Sequence, residues 1–132
     1  MYNSYSNNYC IQKGTWIILK HADQRNIKIV TELMGYCYKH GSDNVHIDIN
    51  KENEKIIIFI RAQTSIITKK NLEHLETALN GPRCHEMEEY YWNLTGDNDT
   101  YSELSLVGMM IDEAHINYVD GEYLELLLTR IP

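Results

Sequence analysis

Three stretches of this 132-residue chain carry side chains that could do chemistry. In Glu32–Gly41 (ELMGYCYKHG) the Glu32 carboxylate could act as a general base and the Tyr36 ring could stack on a ligand. The plainer readings are a solvated or paired glutamate and a tyrosine at the core or its rim. Cys37 and His40 sit at i, i+3, a spacing that can hold a metal ion, but no second pair completes a four-ligand set. Cys84-His85-Glu86, with Glu88 and Glu89, mixes soft and hard ligands on adjacent residues, which point in different directions on a helix. That stretch reads as a solvated acidic face. Tyr90, Tyr91 and Trp92 follow it, and a helix cannot bury three consecutive positions on one face. An outward-facing aromatic patch rimmed by Glu86 and Glu89 is a candidate protein-contact surface. Glu86, Glu88, Glu89, Asp97, Asp99 and Glu103 stand in this region against one nearby base, Arg83. The chain has no P-loop, no G-x-S-x-G and no H-E-x-x-H.

The elements that must position these residues follow from periodicity. Residues 1–14 are polar, rich in Asn and Tyr, and read as a loosely held arm before a single domain over 15–132. Thr15–Lys20 (TWIILK) is β-prone. Asp23 suits an N-cap, and Ile27, Val30, Met34 and Cys37 then recur on one helical face up to His40, with Gly41 as the stop. Val45–Ile49 alternates as a half-buried strand, Glu52–Glu54 is a polar turn, and Lys55–Ala62 (KIIIFIRA) reads as a central strand paired with it in a hairpin. Lys69–Leu79 is a helix with Leu72, Leu75 and Leu79 on one face, ended by Asn80-Gly81-Pro82. Arg83–Leu94 and Tyr101–His115 are two more, the latter with Leu104, Val107, Ile111 and Ala114 in register, and Gly96–Asp99 turns between them. Asp120-Gly121 joins a short strand near Ile116–Val119 to a last strand, Glu122–Arg130. Strands in antiparallel pairs with surplus helices suit an α+β two-layer sandwich, with helices on one face of a mixed, mostly antiparallel sheet.

Composition narrows the function. Twelve Lys and Arg against 19 Asp and Glu give a net charge of −7, or −1 with all six histidines protonated. That balance argues against a nucleic-acid partner, which needs a basic stripe, and against a polybasic membrane anchor. The longest apolar run, Ile56–Ile60, is far short of the roughly 20 residues of a membrane span. Three irregularly spaced cysteines, Cys10, Cys37 and Cys84, make a disulfide framework unexpected and a reducing cytoplasm the default location.

Glu32–Gly41 resembles the N-box helix of the gyrase, chaperone and histidine-kinase ATP-binding superfamily (GHKL). Anti-sigma-factor kinases of that group read E-A-x-T-N-A-x-K-H-G there, matching at Glu32, Lys39, His40 and Gly41. The hairpin VHIDINKENEKIIIFIRA falls where the family places its central strands. Tyr101–Asp112 resembles its later lid helix, and ELLLTRI its last strand. Leu72–Leu94 also resembles a smaller bacterial branch tied to anti-anti-sigma switches. The resemblance implies a histidine-kinase-like ATPase fold over residues 15–130 and ligand contacts at Glu32, Tyr36, Lys39, His40 and Arg61. Its nucleotide motifs are degenerate. The family's Mg²⁺-binding Asn is Tyr36, and a phenol is a poor ligand for that hard ion. The adenine-binding D-x-G-x-G is replaced by Arg61-Ala62-Gln63-Thr64-Ser65, and the lid glycines are lost around Ser102, Glu103 and Ser105. The expectation is therefore a non-catalytic regulatory domain that binds a protein partner, as bacterial partner-switching regulators do, with no cofactor and with a homodimer as a natural assembly. The alternative is a divergent Mg-ATP-dependent serine/threonine protein kinase in which Glu32 assists phosphoryl transfer and Lys39 or Arg61 meets phosphate.

Overall fold

The computed structural model describes residues 21–95 and 104–132, with side chains left undescribed at 21, 22 and 91–95. The expected arm, the Thr15–Lys20 strand and the Gly96–Asp99 turn lie outside the described residues. The elements run α1 (His21–Lys39), β1 (Asn44–Glu52), β2 (Lys55–Gln63), α2 (Lys69–Leu79), α3 (His85–Thr95), α4 (Leu104–Met110), β3 (Glu113–Val119) and β4 (Tyr123–Arg130). The strands form one open sheet in the order β1-β2-β4-β3, every neighbour antiparallel. Two hairpins thus meet along β2 and β4.

Alternation gives the sheet one covered face. Ile56, Ile58, Ile60 and Ala62 of β2 and Leu124, Leu126 and Leu128 of β4 are buried on it, and Val45, Ile47, Ala114, Ile116 and Tyr118 of the outer strands pack beside them. Helical residues Ile29, Leu33, Leu75, Leu79, Val107 and Met110 complete the core. The result is an α+β structure with its helices layered on the sheet, as the patterning implies.

Local chemistry sets the boundaries. α1 ends in a Schellman turn: Gly41 has φ +79°, its N–H donates to the Tyr38 carbonyl and the Ser42 N–H donates to the Cys37 carbonyl. Thr68 and Asn71 exchange side-chain and backbone hydrogen bonds, both 3.1 Å, in a capping box that starts α2. Asn53 and Glu54 (φ +48° and +69°) turn the first hairpin, and Gly121 (φ +78°) lies in the second. Gly108 lets α4 cross α2 closely, since a Cβ there would stand 2.0 Å from the Ala78 carbonyl oxygen.

Three expectations need correction. Asp23 is inside α1, not its cap, and bonds Lys51 across the layer at 2.9 Å. The buried face of α1 runs through Asn26, Ile29, Leu33, Tyr36 and Cys37, while Ile27 is 52% exposed. The helix is apolar on two sides, so the three-and-four spacing selects either. The last helix stops at Met110, and Glu113–His115 begins β3. Ile111 and Ala114 continue the helical spacing of Leu104 and Val107, but Ala114 pairs with Leu128 and packs against the core from the sheet.

Candidate functional site

The C-terminal half of α1 lines a cleft of about 360 Å³ with α2 and the start of α4. Tyr36, Lys39 and His40 come from α1, Asn71 and His74 from α2, and Ser105 from α4. The Schellman turn fixes His40. Its Nδ1 donates to the Tyr36 carbonyl at 2.9 Å, its ring lies 4.2 Å from the Tyr36 ring, and its own carbonyl accepts from the Thr64 hydroxyl at 2.7 Å. Because a carbonyl can only accept, the proton sits on Nδ1, and Nε2 carries the lone pair when the ring is neutral. Among the described residues no carboxylate lines this cleft. In a chain of net charge −7, that leaves a lysine and two histidines to attract an anion.

Tyr36 is 6% exposed, and its hydroxyl has no hydrogen-bond partner among the described residues. Burial, with the adjacent Cys37 contributing, pushes its phenol up to about 12. At neutral pH the group keeps its proton and offers no oxyanion to a cation. Cys37 is buried as well, and desolvation raises its thiol to about 11, so it stays protonated and inert.

Glu32 is also buried, with the Lys28 ammonium 3.7 Å from its carboxylate. Tyr36, Lys39 and His40 are therefore brought together, with Glu32 one turn before them and set against a cation. Arg61 is not brought there. It lies on the opposite face of the sheet, where its guanidinium covers the Tyr123 ring at 3.9 Å and reaches Glu125 at 3.7 Å. The period of two in β2 sends Arg61 away from the face that buries Ile60 and Ala62. Ser105 falls in the stretch matched to the family's lid, while Asn71 and His74 escape a reading of sequence because only the α1–α2–α4 packing gathers them.

The α3 segment divides. Glu86 and Glu89 are exposed and Tyr90 is 56% exposed, while the side chains of Tyr91 and Trp92 lie outside the described residues. Glu89 also reaches Arg25 of α1 at 2.7 Å. Glu88 overturns the reading of a uniformly solvated acidic face. It is 2% exposed and accepts hydrogen bonds from three guanidiniums: Arg25 at 2.9 Å, Arg83 at 3.2 Å and Arg130 through both oxygens at 3.1 Å. Arg83 continues to Asp112 at 2.9 Å and Arg130 to the Met110 carbonyl at 2.6 Å. The fold thus supplies three bases to a stretch that has one nearby in sequence. A carboxylate so enclosed ties α3 to α1 and β4.

Comparison with protein-family models, with characterised proteins and with solved structures gives no match. Among the described residues no group of three or more His, Cys, Asp or Glu could hold a metal ion, and no helix is long and apolar enough to cross a membrane.

Proposed function

We propose that this domain is a non-catalytic regulatory module that works by contact with a partner protein, in the manner of bacterial partner-switching regulators of GHKL resemblance. The observation that carries the reading is Tyr36. Where the resemblance calls for an oxygen ligand to Mg²⁺, the chain has a buried phenol held protonated, its hydroxyl without a partner among the described residues. The residues present do not fit a Mg-nucleotide. Arg61 faces away from the cleft, and Glu32 is set against Lys28 rather than poised to take a proton. What α3 leaves outward is contact chemistry: Glu86, Glu89 and the Tyr90 ring.

The test is calorimetric titration of the full chain with ATP, with and without Mg²⁺. The expected outcome is no binding below the millimolar range and no Mg²⁺ dependence. A micromolar dissociation constant that requires Mg²⁺ makes the protein-kinase reading the better one. A cleft lined by Lys39, His40 and His74, and by no carboxylate among the described residues, is the observation that favours that second reading.

A further inference from the structure

Strand β1 lies at the edge of the sheet, paired with β2 on one side and with no strand on the other among the described residues. Its nine residues present a row of backbone donors and acceptors that can template another strand. The chemistry of that strand is palindromic about Ile47. Set antiparallel to a second copy with Ile47 opposite Ile47, it places Val45 opposite Ile49, His46 opposite Asp48 and Asn44 opposite Asn50. Asp43, just before the strand, falls opposite Lys51, whose ammonium also bonds Asp23. Apolar meets apolar, amide meets amide, and imidazole or ammonium meets carboxylate. Other registers lose this match. Centring on Asp48 sets that carboxylate against itself and Val45 against Lys51. The two registers half a step either side of that one, which pair odd with even positions, set Val45 and Ile47 against polar residues.

A second observation lies on α1. The Asp23–Lys51 bond puts one side of the helix over this edge, while Arg25 faces the other way, to Glu88. Ile27, Met34 and Tyr38 continue the Asp23 side along the helix, and Ile27 and Tyr38 are 52% and 58% exposed. A twofold axis through Ile47, normal to the sheet, keeps both helical layers on one side and brings the two apolar stripes face to face across the axis.

We propose that the chain forms a twofold homodimer in which β1 pairs with β1 of a second copy in the Ile47-centred register, joining the two sheets into one continuous sheet. The partner is a second copy because the match in charge and polarity is of the strand with itself.

The test is sedimentation of the full chain across a range of concentrations, with two variants. The wild type is expected to move to twice the chain mass as concentration rises. H46D sets like charges opposite each other, twice by symmetry, and should raise the dissociation constant about tenfold or more. His46 is exposed and sits across from Arg61 on β2, so this substitution leaves the fold intact, as an unchanged thermal melt will show. The double variant H46D/D48K exchanges the charges within the same register and should restore the dimer. A wild type that stays monomeric at every concentration overturns the proposal. So does a dimer indifferent to H46D, or a double variant no tighter than the single one.

Discussion

Glu88 of α3 and Arg130 of β4 face each other as a bidentate ion pair, both bonds 3.1 Å and both side chains almost sealed from water. Removing one partner strands the other. Glu88→Ala leaves the Arg130 guanidinium buried without its carboxylate and should cost about 3–5 kcal/mol in urea unfolding. A loss below about 1 kcal/mol would mean that water already solvates the pair.

The phenol and thiol at the end of α1 set an alkaline limit. In the unfolded chain Tyr36 and Cys37 ionise near 10.0 and 9.0, and folding raises them to about 12 and about 11. The folded state binds these protons more tightly, so their contribution is fully present below pH 9 and is lost as pH rises from there through 12. Tyr36→Phe removes the phenol's share and should flatten the decline above pH 10. At neutral pH it should be neutral or stabilising, because the hydroxyl is buried with no partner among the described residues. Urea midpoints at pH 7 and across the alkaline range read both effects.

Two glycines should answer the same substitution with opposite signs. Gly108→Ala forces a methyl to within 2.0 Å of the Ala78 carbonyl oxygen and should cost about 1–3 kcal/mol as α2 and α4 are pried apart. Gly35→Ala, in the same kind of helical backbone but with open space around it, should add about 0.4–1 kcal/mol. Thermal melts of the two variants suffice.

Tyr90 is a surface residue on α3, and Tyr90→Ala should change stability by no more than about 0.5 kcal/mol. A larger loss would place its ring in the fold's packing and remove it from the contact surface.

Where a residue's role depends on its neighbours in sequence, the chain was easy to read. The β1–β2 hairpin, α2 with its Leu75 and Leu79 face, and the Leu124–Leu126–Leu128 side of β4 all emerge from periods of two or 3.6. Where the role depends on partners far along the chain, it was not. Ile27 and Ile29 are equally apolar, and only the sheet decides which one is covered. Glu88 looks like Glu86 and Glu89 until Arg25, Arg83 and Arg130 arrive from three other segments. In the cleft, Tyr36, Lys39 and His40 were legible as a local motif. Asn71 and His74 were not, because their neighbours are set by helix packing.

The strand order also shapes how the chain reaches its native state. Each hairpin closes over a few residues, Glu52 to Lys55 in one and Val119 to Tyr123 in the other. The β2–β4 seam instead joins Ile60 to Leu126, with α2, α3 and α4 strung between. Hairpins form within about 1–10 μs, whereas long-range pairing must first meet the entropy of closing the intervening loop. The seam is then the slow event of folding, and residues along it, rather than those of either turn, should set the rate at which new chains become compact.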